Sequence, residues 1–399
     1  MKISIILFIV IFTFIIFLLF LRSDHDPSSA GLLPMVKAVL GMSDSNNGET
    51  CEDLSKKVSA SLTEDRYAGG AVGTILRSDI PHDITNKLDK HTTKATLDNI
   101  TLPKCFDLRK KYPDRMSIPL QQASCGSCWA FATTSTLSDR FRILTNTHLY
   151  RHMDYTDVAL KKTYTILSQL SPYFLAACDF CTINPSLYKL IVDQGSCNNK
   201  CDGGVIQYAY IYIHQNGIIS TQCNPEAQFK YECHSVEDLA SHYVDPLNPK
   251  HECHLFKIME PYQVNMYENE ELYDPIDLDD NTKAIQSEIY RNGTVTAGFK
   301  VYQSFYNFFK TNPMGIYTGP SSNDKLVGGH AICIVGWGVY GDVKYWIVRN
   351  SWGINWGDGG YFRIEMGKNV CDIESDVWAA RPDRAWLEKI NKSFGLGKL

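Results

Sequence analysis

The chain has no strong excess of charge of either sign. Its 39 Lys and Arg stand against 44 Asp and Glu, a formal net charge of −5. That balance offers no basic footprint, so nucleic acid is not expected as a partner. Internal repeats and heptads are also missing, which excludes solenoids and coiled coils. Charged residues are only 21% and hydrophobic residues 44%, so the chain is not disordered as a whole. At 399 residues it can hold one large domain or two of ordinary size.

Cysteine is abundant, with 13 in the chain. Such a count points to an oxidising compartment and a disulfide framework. If one thiol is kept for chemistry, twelve remain to pair. Cys333 lies in a strand-like stretch and reads as a buried free thiol, which leaves Cys51 and Cys105 ambiguous.

Residues 3–21 form an uncharged apolar run between Lys2 and Arg22. At 1.5 Å per residue it would cover about 28 Å, close to the ~30 Å hydrocarbon core of a bilayer. No small-residue pair marks a cleavage site at its end. Residues 1–21 are therefore expected to be an uncleaved signal anchor, with a cleaved signal peptide as the alternative. The anchor predicts a membrane partner and a single-pass protein whose main body is lumenal or extracellular (endolysosomal, vacuolar or virion). Cleavage would instead give a secreted or lysosomal protein. Three glycosylation triplets, at Asn99, Asn292 and Asn391, agree with translocation.

Residues 22–101 are polar, rich in Ser, Asp, Asn and Gly at first, and read as a linker followed by a pro-segment. The main body is expected at 102–382, and 383–399 reads as a surface tail. Ala130, Thr134, Leu137, Phe141 and Leu144, recurring at spacings of 4, 3, 4 and 3, predict a helix over 128–144. A second helix is expected from Val205 to about His214. Strands are expected at 331–335, 343–349 and 359–364. Helices early and strands late predict an α+β protein with two packed halves.

Cys128 opens the first helix. A helix N-terminus favours a thiolate, and a thiolate beside an imidazolium is a good nucleophile. His330 follows two glycines at the start of a strand. Asn350 ends the next strand. A turn centred near Tyr340 would bring His330 and Asn350 close together. The Asn oxygen could then hold one ring N–H and leave the other nitrogen facing the thiol. Competing readings are a zinc site built from Cys125, Cys128, Cys178 and Cys181, a redox pair at Cys125 and Cys128, and a peptide-binding protein without turnover.

Several motifs in order carry a resemblance. They are LPKCFDLR (102–109), QASCGSCWAF (122–131), LSPYFLAAC (170–178), CDGG (201–204), GGHAICIVGWG (328–338), YWIVRNSWG (345–353), NWGDGGYFRI (355–364) and CDIES (371–375). With them the sequence is similar to the papain family of cysteine proteases, and most to its cathepsin B branch. The resemblance implies a two-lobe fold with a helical left lobe, a β-barrel-like right lobe and a cleft between them. It implies Cys128 as nucleophile, His330 as acid and base, Asn350 orienting the ring and Gln122 donating to the oxyanion. Trp352 would shield the His330–Asn350 pair. Gly203, Gly204 and Ala331 would line the substrate site. Glu374 would sit at the base of the pocket for the second residue before the scissile bond. Cys125 would be bonded to Cys201. The implied reaction would be peptide-bond hydrolysis by a monomer on peptide or protein substrates, through a thioester, with no metal or organic cofactor needed. Residues 223–254 lack the adjacent His pair of cathepsin B, so endopeptidase action is expected. Ala123 stands where glycine is more usual.

Overall fold

The helix that begins at Cys128 carries small and apolar side chains over its first turns and charged ones, Asp139, Arg140 and Arg142, further on, and these charges are paired inside the protein rather than left in solvent. It runs from Cys128 to Thr145 (α1) and is buried from Cys128 through Arg142. This is a computed structural model, and it describes residues 69–80, 85–86, 88–94, 100–145, 169–179, 198–223, 233, 255–264 and 278–393. All of these lie in the unit Cys51–Leu399.

Two more helices pack beside α1: Pro172–Cys178 (α2) and Ile206–Asn216 (α3). Ser171 caps α2 by accepting from the Phe174 N–H, and Pro172 sits at the first helical position, where its missing N–H costs nothing. Three further helices follow: Leu278–Asn292 (α4), Gln303–Thr311 (α5) and Arg384–Ser393 (α6). The expected surface tail thus contains a docked helix. Leu387 of α6 is 2% exposed, and Trp386 packs on Phe256 with ring centroids 5.7 Å apart.

Among the described residues nine strands form one mixed sheet: β1 (Thr93–Lys94), β2 (Phe106–Asp107), β3 (Tyr262–Gln263), β4 (Val295–Tyr302), β5 (Ile316–Tyr317), β6 (Leu326–Tyr340), β7 (Val343–Arg349), β8 (Tyr361–Glu365) and β9 (Asp376–Ala379). The order is β1-β3-β9-β4-β6-β7-β8-β5, with β2 on β6. Only β1–β3 and β5–β8 pair in parallel. This corrects the barrel-like expectation. The α+β, two-lobe character stands, but the path ends at the two-residue strands β1 and β5, which do not pair with each other, so the sheet stays open. α1 packs against β6 and β4, which brings the Cys128 helix onto the strand that carries His330. Six tryptophans (129, 337, 346, 352, 356 and 378) are among the largest fully buried side chains of this interface and core. Each large apolar side chain so buried contributes roughly 1.5–3 kcal/mol or more.

The membrane expectation is withdrawn. No helix among the described residues is long and apolar enough to cross a membrane. The run 3–21 lies outside the described residues, and so does Asn99. The anchor, the membrane partner and the single-pass topology therefore have no support here. What stands is a disulfide-bonded α+β domain. Asn292 ends α4 half-buried, and its amide donates to Glu288 Oε2 at 2.9 Å. Asn391 falls within α6.

Candidate active site

Chain geometry brings three distant residues to one place. Cys128 is the first residue of α1, where the carbonyl of Ser127 accepts from the N–H groups of Ala130 and Phe131. His330 lies on β6. Asn350 follows β7 directly, so the hairpin fixes the two relative to each other. Cys333 pairs with Arg349 and Tyr340 with Val343, so the turn sits at Gly341–Asp342 and an irregularity falls between Ile334 and Gly336. His330 is therefore not directly opposite Asn350. Its Nε2 still reaches Asn350 Oδ1 at 2.8 Å.

That oxygen also accepts the Ser351 N–H at 2.8 Å. It is thus the amide's acceptor end, and the His330 Nε2–H is the donor. The second ring nitrogen, Nδ1, is buried without a well-formed hydrogen bond and is the one left for the thiol. Trp352 stacks on the imidazole, with centroids 4.7 Å apart and planes at 29°. All of His330 and Trp352 is shielded from solvent.

Burial by itself would push the Cys128 thiol up. The positive His330 ring, a hydrogen bond from it, the Thr74 hydroxyl and the Ala331 N–H together outweigh burial and hold the thiol below the ordinary cysteine range. Thr74 Oγ1 lies 3.1 Å from the sulfur. The α1 N-terminus adds its partial positive charge to the same end. This is the environment of a thiolate–imidazolium pair.

Gln122 is held beside this pair. Its Oε1 accepts from Ser351 Oγ at 2.5 Å, and its Nε2 donates to Cys125 O at 2.7 Å and to Ala71 O at 3.1 Å. The next residue, Ala123, has φ 56°. A left-handed backbone there is the physical reason glycine is more usual.

Cys125 is bonded to Cys201 and Cys178 to Cys233. Those bonds remove the four-cysteine zinc site and the redox pair, since neither Cys125 nor Cys178 is a free thiol. Cys105 and Cys223 are disulfide-bonded too. Cys128, Cys333 and Cys371 are the free cysteines among the described residues. Cys371 was not foreseen as one.

The stretch 69–77 runs through the site. Gly204 N–H donates to Gly73 O at 2.8 Å, and Ile75 N–H to Gly204 O at 2.9 Å, so the stretch pairs with the Gly203–Gly204 strip as a parallel bridge. Across from it, the N–H groups of Gly73 and Thr74 donate to Gly329 O at 3.1 and 2.9 Å. Asn198 braces the strip from behind. It accepts from Val205 N–H and donates to Asp179, whose carboxyl is buried and pushed up to about 7 by that burial.

Glu374 does not face this stretch. It is fully buried, and its carboxylate accepts from Trp346 Nε1 and from the N–H groups of Gly367 and Asn369. Those bonds secure a loop behind the sheet. The acid on the site side is Asp376, which sequence reasoning missed. Its Oδ2 accepts from the Arg77 N–H at 3.2 Å. Gly298 lies between it and Leu76: a Cβ there would come within 2.6 Å of Leu76 Cδ2 and 3.0 Å of Asp376 Oδ2. Leu76 thus fills a buried pocket whose floor carries a carboxylate.

The sequence matches the papain family cysteine protease family over residues 102–154 and 178–381. It is 31% identical to cathepsin B-like cysteine proteinase 4 of Caenorhabditis elegans over 307 residues, covering 74% of this chain and 79% of that protein. It is also 31% identical to a cathepsin B-like cysteine proteinase of Schistosoma japonicum over 308 residues, covering 73% and 77%. Among solved structures, procathepsin B S9 from Trypanosoma congolense is similar in fold, with a TM-score of 0.53 at 23% identity over 78% of this chain and 86% of that one.

Proposed function

The chain belongs to the papain family of cysteine proteases, and from that premise we infer how this cysteine-type peptidase divides its chemistry among its own residues. Cys128, as thiolate, attacks the carbonyl carbon of the scissile peptide bond. Gln122 Nε2 and the Cys128 N–H hold the developing oxyanion. Such a donor is worth about 10²–10³ in kcat in other hydrolases. His330, as imidazolium, gives its proton to the leaving amine, and the amine departs. Water then attacks the thioester with His330 as base, releasing the acid and regenerating the pair. Asn350 fixes the ring so that Nδ1 points at the sulfur. The observation that carries this reading is the His330–Asn350 bond of 2.8 Å on one side of the ring and a thiol held low by that ring on the other.

Residues 22–101 are the linker and pro-segment, and the stretch 69–77 is the inhibitory part. Its Ala71 carbonyl occupies the Gln122 amide that the oxyanion needs. Arg77 clamps its far end, with Nη2 on Asp89 at 2.6 Å and Nη1 on Gln207 at 2.6 Å. Acidification of the full chain is expected to release this segment by cleavage upstream of Leu102. N-terminal sequencing and a peptide-cleavage assay on the same sample check it. A chain that stays whole and inactive, with no thiol-protease affinity label taken up, overturns the reading.

The pocket that Leu76 fills takes the second residue before the scissile bond, and Asp376 supplies its charge. Substrates with Arg at that position are expected to lose roughly tenfold in kcat/KM, relative to Leu substrates, in an Asp376→Ala variant. The same ratio in both proteins sinks the assignment. Cleavage is proposed to fall within chains, because residues 223–254 offer no adjacent His pair to hold a substrate C-terminus.

A further inference from the structure

Asp179 ends α2 directly after Cys178, and the Cys178–Cys233 bond anchors that end of the helix. The side chain is completely shielded from solvent. One carboxyl oxygen, Oδ2, accepts from Asn198 Nδ2 at 2.5 Å. The other, Oδ1, has no hydrogen-bond partner among the described residues. The chemistry at Cys128 makes no use of this acid.

Asn198 carries the contact onward. It is buried too, and its Oδ1 accepts from the Val205 N–H. A Cβ on Gly204 would come within 2.6 Å of that Oδ1 and 2.7 Å of the Trp129 ring, so the Gly204 backbone lies directly on the Asn198 amide and on the residue after the nucleophile. On its other side Gly204 donates its N–H to Gly73 O at 2.8 Å and accepts the Ile75 N–H at 2.9 Å. A shift of the Asn198 amide therefore moves the two polar groups by which the strip grips an extended chain. The Asn199 N–H also donates to Gly203 O at 2.8 Å, but that tie lies within the loop, whereas Asp179 fixes the loop to α2.

We propose that Asp179 is a positioning residue for the substrate: through Asn198 it sets the Gly203–Gly204 strip, and it does so in its uncharged form. The proposal rests on the peptidase reading above and adds a regulation of the same site, a grip on extended chains that is full in acid and slackens as the pH rises. A buried carboxylate is stable only when it is paired or richly hydrogen-bonded, and this one has a single donor. Burial outweighs that hydrogen bond and holds the carboxyl up at about 7. Among the described residues no charged side chain acts on it. Tyr208 and Tyr212 face it from α3, and burial and the Asp179 charge push both hydroxyls up, so they stay neutral. Cys178 and Cys223 are held in disulfides. The charged residues of α1 bond one another, Arg349 or Glu288. On the loop, Asp202 bonds Asn199 at the surface and Lys200 is half-exposed. When the carboxyl loses its proton, one Asn198 donor cannot hold the charge, and the loop 198–204 gives way toward water and takes Gly204 with it.

The test uses the full chain, activated at acid pH, as wild type, Asp179→Asn and Asp179→Ala. The substrate is an internally quenched peptide with Leu two residues before the cut. At about pH 5, Asp179→Ala is expected to raise KM about tenfold and to leave kcat within about threefold, because Asn198 loses its brace. Asp179→Asn gives Asn198 a neutral acceptor again and should bring KM back to within about twofold of wild type. From about pH 5 to about pH 8 the wild-type KM is expected to rise about fivefold with a midpoint near 7, while that of Asp179→Asn stays level. If Asp179→Ala does not fold, the comparison of Asp179→Asn with wild type decides alone. A KM that climbs with pH in Asp179→Asn as it does in wild type overturns the proposal. So does a loss carried by kcat, or an Asp179→Asn variant as impaired at about pH 5 as Asp179→Ala. Wild type that cleaves no peptide at any pH overturns the peptidase reading itself, and is told apart by needing no variant.

Discussion

Cys128→Ala will lower peptide cleavage by about four orders of magnitude or more, leaving only what binding and the oxyanion donors give without a nucleophile. The sharper readout is where a thiol reagent lands. Three free cysteines are described, and their environments push them apart. Burial pushes Cys333 up, and burial with the Asp372 and Asp324 charges pushes Cys371 up to about 12. Cys128 alone is held down, because the His330 charge and the Thr74 and Ala331 hydrogen bonds outweigh its burial. The thiolate, not the thiol, reacts. At about pH 6 an alkylating probe on the activated protein should therefore mark Cys128 and leave Cys333 and Cys371 unlabelled. Peptide mapping of the wild type and of Cys128→Ala checks both statements. Raising the pH toward the ordinary thiol range should not speed labelling at Cys128 as it would for an unperturbed cysteine. A label that persists in Cys128→Ala, or cleavage that survives it, would remove the nucleophile from the mechanism.

Much of the site could be read in the sequence because its chemistry depends on residue types close to helix and strand ends. Cys128 at a helix start and His330 twenty residues before Asn350 need only local geometry. The register itself was not legible, because of the hairpin. Gly336 and Gly338 look like turn residues, yet β6 runs on through them to Tyr340, and the chain reverses only at Gly341–Asp342. The irregularity after Ile334 then shifts the pairing back by one residue, and side-chain reach joins His330 to Asn350.

The acid in the pocket was misassigned for a similar reason. Glu374 and Asp376 are two residues apart, which on a continuous strand would share one face. β9 begins only at Asp376, and Glu374 belongs to the turn before it, so the two side chains part company. The path of residues 69–77 was illegible because its Gly-rich sequence has no period. It is held by backbone bonds to Gly204 and Gly329, which any sequence with room for them can make. Barrel closure, too, depends on two-residue strands at the sheet ends, far below the length at which a pattern shows.

The largest stability effect should come from a residue that no motif marks. Asp139 is on α1, three turns past Cys128, and it is completely buried. Its Oδ1 accepts from the Ser117 N–H at 2.6 Å and from Arg142 at 3.0 Å, and its Oδ2 from Thr294 at 2.6 Å and from Arg349 at 2.8 Å. Arg349 immediately precedes Asn350, so this one carboxylate ties the Cys128 helix to the strand end that orients His330. Asp139→Ala would remove the buried carboxylate that both Arg142 and Arg349 bond. Breaking such a buried pair costs about 3–5 kcal/mol, a large share of a domain's stability. Urea unfolding should show it as a lower midpoint. If the alanine variant does not fold, Asp139→Asn keeps the shape and should still lower the midpoint. The pH dependence gives an independent check. Burial would raise the Asp139 carboxyl, but Arg349, Arg142 and the Thr294 hydroxyl hold it below the ordinary carboxylate range. A folded value below the unfolded one, about 3.9, means the stabilisation is fully present above that unfolded value and is lost as the pH falls through the folded one. The gap between wild type and variant should therefore stay constant down to about pH 5, where the pro-segment is to be released, and narrow only in stronger acid. A gap that already closes at mild acidity, or an Asp139→Asn variant as stable as wild type, would mean that the two lobes are held together without this charge.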